Sequence, residues 1–267
     1  AYVRKLPKPT ETLSLSDWTQ YRDLLAGLSQ KAADEFRDAV WNINGRWKGV
    51  GLGMIPRNDL IDYAYALVTK YGEGAAAAAC ECYDAIAALS GVRVPAAVPA
   101  ETATVPEVAK AINGAIKQSE NPELVSSVVG RLVKQAGQDT TLQNAARDHA
   151  EAAWIPAGDT CAFCIMLGSR GWQKQSKKAL KNGHAQHIHA NCDCTYAVRF
   201  SSDMEVEGYD PEAYYRLYKD GANAPYVNED IDHPQPKQQS QRNLNGLRRM
   251  MSDDKKIGKY LQDISVD

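Results

Sequence analysis

Several things are missing from this chain, and each absence removes a class of function. No stretch reaches the roughly 18 consecutive apolar residues of a membrane-spanning helix, so no membrane span is expected. The opening AYVRKLPKPTETLSLSDW is basic but has no apolar core, so it does not read as a secretory leader. Positive charge is not in excess. The 31 Lys and Arg stand against 33 Asp and Glu, a formal net charge of -2, which argues against a protein that coats DNA. Catalytic signatures are also absent: there is no GxSxG, no Walker loop, no GxGxxG after a strand and no HExxH. No internal repeat is visible.

What remains is mostly helical periodicity. Leu15, Trp18, Tyr21, Leu25, Leu28, Ala32, Phe36 and Val40 recur every three or four residues and predict a helix over 15–44, with Ser14 or Ser16 as cap. After Pro56, Leu60, Tyr63, Leu67 and Tyr71 open a second long helix. Gly72 and Gly74 are expected to bend or break it, and Gly91 to end it. Residues 92–106 hold three prolines and read as a linker or an extended crossover. One helix is expected over 105–118. Further helices fall within 122–153, with Leu124, Val128, Leu132, Leu142 and Ala145 on their apolar face. From Trp154 the pattern becomes strand, turn and short helix, with Asp159 as cap and Gly171 as stop. TYAVRF (195–200) alternates like a strand. Asp210, Pro211 and Gly221 frame one more helix, and a polar linker precedes a last possible one after Leu247.

The chemistry-bearing residues are concentrated in one place. Cys161-x2-Cys164 is followed, beyond a basic loop, by His184, His187, His189, Cys192 and Cys194. Zinc takes four soft or borderline donors in a tetrahedron, and a CxxC turn supplies two of them. The candidate ligands are Cys161, Cys164, His187, His189, Cys192 and Cys194. The preferred set is Cys161, Cys164, His189 and one of Cys192 and Cys194. Two disulfides between these pairs, or thiols packed simply as small apolar groups, are the alternatives. Between Thr160 and Cys192 there is no Asp or Glu to act as a general base, so a zinc here would be structural. His149-Ala-Glu151 ahead of the CxxC imitates a zinc deaminase, but the interval is too short for that fold. The His-Ile-His run suggests an HNH-type nuclease, yet the expected following helix is replaced by a strand pattern. Cys80 and Cys82, two apart on a helix, face different ways and read as core packing.

Arg170, Lys174, Lys177, Lys178 and Lys181 lie between the two cysteine pairs with no opposing acid, and Trp172 sits among them. Such a run is usually a solvated face. Its functional alternative is contact with phosphates or a protein partner, with Trp172 stacking on a base.

Four pieces together resemble a known family: YGEGAAAAACECYDAIAALSG (71–91), RLVKQAGQDTTLQNAARD (131–148), PAGDTCAFCIMLGSRG (156–171) and HIHANCDCTYAVRF (187–200), with YYRLYKDG after them. Over residues 58–220 the chain resembles the minor head proteins of tailed bacteriophages, the Mu F-like head-morphogenesis group, in the branch common among phages of actinobacteria. The resemblance implies a virion component that joins the portal protein, the major capsid protein or both, reaches packaged DNA, and passes through the host cytoplasm during assembly. Some relatives are labelled maturation proteases, so a head-maturation protease or metal-dependent nuclease is the alternative to a non-enzymatic structural role.

The expected fold is mainly α: an elongated helical body, a small β-containing Cys/His knob resembling a zinc knuckle, and a flexible C-terminal tail. The expected divisions are an N-terminal helical arm (1–55), the body with its crossover (56–153), the knob and following helix (154–222), and a polar linker and tail (223–267).

Overall fold

The computed structural model describes residues 15–45, 52, 55–119, 121–157, 160–176, 192–223 and 239–252. Among them are seven α-helices and a three-stranded antiparallel sheet. Helices α1 (Leu15–Gly45), α2 (Arg57–Leu89), α3 (Val105–Gln118) and α4 (Pro122–Arg147) come first. Then follow β1 (Glu151–Ile155), α5 (Ala162–Gly168), β2 (Gln173–Lys174), β3 (Thr195–Arg199), α6 (Pro211–Ala222) and α7 (Gln239–Met251).

Helix α4 is the centre. It packs against α1, α2 and α3 and meets the sheet as well. The region expected to hold several helices is this single helix and then β1. Its burial runs all the way round, so polar residues are enclosed along with apolar ones: Gln138 and Thr140 are fully buried beside Val125, Val129 and Val133. Small residues let the neighbouring helices come close. A Cβ on Gly137 would stand 2.9 Å from the Leu25 side chain and 3.1 Å from the Ala75 carbonyl oxygen. Rather than standing off as an arm, α1 lies in this core through Leu25, Phe36 and Val40. The anticipated break at Gly72 and Gly74 does not occur. Helix α2 runs through both, and Gly72 gives room for Thr102 of the crossover.

The proline-rich crossover is extended, and α4 and α2 fix its path. The Asn144 side chain accepts from Val98 N–H and donates to the Val98 carbonyl, while Thr140 Oγ1 accepts from Ala100 N–H. Arg147 donates to the Pro95 and Ala96 carbonyls, and Asp84 accepts from Ala97 N–H. Side chains thus satisfy backbone groups that no ladder serves. Thr104 closes the segment with its N–H donating to the Glu107 carboxylate, the return half of a capping box.

His149, at φ 56°, turns the chain from α4 into β1. The sheet order is β2-β1-β3, with Ala153 opposite Ala197 and Trp154 opposite Tyr196. Its two faces enter different cores. Ala153, Ile155 and Ala197 join the main core with Tyr214 and Leu217 of α6. Ala152, Trp154, Tyr196 and Val198 join a second core with Tyr83 of α2 and Leu142 and Ala145 of α4. The expected boundary at 153/154 falls inside β1. At α6, Asp210 caps the first turn by accepting from Glu212 and Ala213 N–H, as expected. Gly221 does not stop that helix. It lies buried in the last turn, where a Cβ would meet Leu247 of α7.

Candidate metal centre

The second core contains three of the six cysteines. Cys164 lies in the first turn of α5, and Cys192 and Cys194 lie on the approach to β3. All three are buried, and their sulfurs lie within 4.8 Å of one another. Cys164 and Cys192 Sγ are 3.3 Å apart. Cys161, half-buried at the N-cap of α5, packs against the same core and hydrogen-bonds Cys164. Three of the four thiols converge and Cys161 adjoins them, and all four are separate thiols in the structure. The preferred set had used only one of Cys192 and Cys194, and both are in the cluster.

The backbone around them is held from two sides. Ala157 N–H, just past β1, donates to Cys194 Sγ at 3.3 Å. From α4, the buried Lys134 ammonium donates to the Cys192 carbonyl and, at 2.9 Å, to the Asp193 carboxylate. Gln138 Nε2 donates to the Cys194 carbonyl at 3.3 Å. Lys134 and Gln138 carry no signal in the sequence. They stand in a helix where polar residues read as surface, and only the all-round burial of α4 brings them inward.

Burial and mutual contact favour the protonated form of Cys164 and Cys194. Hydrogen bonds that the Cys164 thiol donates to Cys161, Cys192 and Cys194, together with burial, push it far up. Contact with Cys164 favours the Cys194 thiolate, but Cys192 and burial outweigh it and push that thiol up to about 12. A divalent ion inverts this balance by binding the deprotonated sulfurs. Three buried cysteines this close could hold a metal ion. Zinc–sulfur bonds of about 2.3 Å in a tetrahedron separate the sulfurs by roughly 3.8 Å, so the observed spacing suits such an ion with small side-chain adjustments.

The other candidates are placed differently. His187, His189, Lys177, Lys178 and Lys181 lie outside the described residues, as does Asp159, and Cys161 occupies the cap position expected of Asp159. Arg170 and Lys174 are exposed. Trp172 is not held out for a base. The Arg199 guanidinium lies 4.7 Å from its ring centroid, and the edge of Tyr209 meets it at 6.1 Å. His149 is exposed in its turn, and no deaminase-like pair forms. Cys82 packs against the main core as expected, whereas Cys80 is only partly buried.

The family model for the VG15 protein matches residues 12–221, well over half of the sequence. The chain belongs to the VG15 family. This is a family of phage proteins, and its match takes in the second core, the main core up to α6 and all four clustered cysteines. It also extends over α1, which the resemblance read from residues 58–220 had left out. Neither the search of curated proteins nor that of solved structures returned a match.

Proposed function

We propose that this VG15 protein is a minor head protein of the virion, of the Mu F-like kind, which joins the portal or the inner face of the capsid and works by structure rather than catalysis. The observation that carries the reading is the VG15 match, which makes the chain a phage protein over most of its length. The cysteine cluster supports a non-catalytic role. Among the described residues, the only group of potential ligands drawn together consists of buried thiols with no histidine or carboxylate among them. A catalytic metal keeps an open position with an acid or base at hand. Zinc, the ion best matched to soft sulfur donors, would act here as a fold-locking clasp. It would tie the start of α5 to the strand β3, which α4 already grips through Lys134 and Gln138. Arg170 and Lys174, exposed beside the clasp, are the described part of the basic surface that would face the portal, the capsid or packaged DNA.

Labelled copies of the chain, mapped in procapsids and filled heads of the phage that encodes it, test the reading. Density at the portal vertex or the inner shell is expected. Its absence from heads at both stages would refute the virion role. Incubation with capsid and scaffold proteins is expected to leave both intact, and cleavage products would favour the hydrolase alternative.

A further inference from the structure

We infer that the metal is held by four thiolates in a closed site, with Cys161 as the fourth ligand beside Cys164, Cys192 and Cys194, so that neither His187 nor His189 is coordinated. This rests on the zinc reading above and completes its ligand set.

Two observations converge on Cys161. It caps the helix in whose first turn Cys164 lies, so the C-x2-C spacing brings both thiols to the same end of α5. Its side chain packs against the second core and is hydrogen-bonded with Cys164. It is not among the three sulfurs that lie within 4.8 Å of one another, so ligation requires Cys161 Sγ to move toward them. The two chain segments then contribute two ligands each, one pair through C-x2-C and the other through C-x-C.

Groups next to the cluster can support buried thiolates. Zinc with four thiolates carries a net charge of -2, and with three thiolates and an imidazole -1. A buried dianion needs donors and cations close by. The cluster has the Ala157 N–H on Cys194 Sγ. It also has the ammonium of Lys134, almost wholly buried and seated on the Cys192 and Asp193 backbone turn. The same ammonium is paired at 2.9 Å with the exposed Asp193 carboxylate, so it braces the turn that carries Cys192.

The test uses the full chain purified under reducing conditions with zinc present. Elemental analysis is expected to give one zinc per chain. X-ray absorption at the zinc edge is expected to show four sulfur neighbours at about 2.3 Å and no nitrogen shell at about 2.0–2.1 Å. Cys161→Ser should replace one sulfur by a lighter neighbour and weaken zinc retention against a chelator at least about tenfold, the lower end seen for outer-shell partners. His187→Ala and His189→Ala should leave the shell as it is. A mixed sulfur and nitrogen shell that changes in a histidine variant would overturn the assignment while leaving zinc binding intact. A zinc content near zero would overturn the zinc reading itself, so the two failures are told apart. If Cys161→Ser does not fold, the neighbour count in the unaltered protein still decides.

Discussion

The two cores are held by different means. The main core, around α1, α2 and α4, relies on large apolar side chains and on glycines that let helices touch, as Phe36, Leu25 and Gly137 do. The second core is smaller. It has Trp154 and Tyr196 in edge contact at 4.8 Å, Tyr83 against Phe200, and a set of thiols in the place of further apolar bulk. The first is specified by shape. The second combines shape with a group of sulfurs placed closely enough to hold a metal ion. The cysteine region also borrows large apolar side chains, because α2 and α4 lend it Tyr83 and Leu142.

Substitutions can break this contrast, beginning with the largest effect. Phe36→Ala removes a fully buried ring from the main core and should lower stability by about 3–5 kcal/mol in denaturant titrations, whether or not metal is present. A loss that zinc could restore would mean that the two cores are not distinct in kind.

Asp139, on α4, acts in the opposite direction. Burial raises its carboxyl from 3.8 to about 6, although its Gln135 bond favours the charged form. A folded value above the unfolded one means that the fold prefers the protonated acid. Stability is then fullest below pH 4 and declines as pH rises through 6. Asp139→Asn should accordingly gain up to about 3 kcal/mol at pH 8 and almost nothing at pH 3.5. Thermal melts at the two pH values check this, and an equal gain at both would sink it.

Lys134→Met probes the seam between the cores. It leaves the Cys192 carbonyl without its donor and should cost about 1–3 kcal/mol. Hydrogen exchange should quicken around residues 192–199 before it does in α1 or α2. The smallest effect is local. Asp210→Ala removes the side-chain acceptor at the start of α6 and should cost about 1 kcal/mol, with the rest of the molecule unmoved in the same exchange experiment.

How much of this could be read from the residues follows the same division. The apolar periodicity of Tyr21 to Val40 placed α1, and Pro56 and Gly91 framed α2, because burial on one side of a helix leaves a repeat in the chain. Asp210-Pro211 announced α6 for a similarly local reason. Helix α4 was misjudged as several helices because it is buried on every side, so Lys134, Gln138 and Asn144 disguised a central helix as a polar one. The thiol cluster was visible as spacing, but membership was not, since which sulfurs meet depends on the register of β3 against β1. The crossover at 92–104 carries its prolines openly, but most of the side chains that fix it lie some 40 to 50 positions further on, in α4. No local pattern records that distance.

The strand β1 carries one more implication. Because its alternate residues feed different cores, a single residue gained or lost in the turn at Asp148 to Ala150 would exchange their occupants. Trp154 would be pressed into space shaped for an alanine, and Ala153 would leave a void where an indole belongs. Homologues of this protein should therefore keep the length of that turn, so the spacing from Arg147 to Trp154 should be as fixed as any sequence motif.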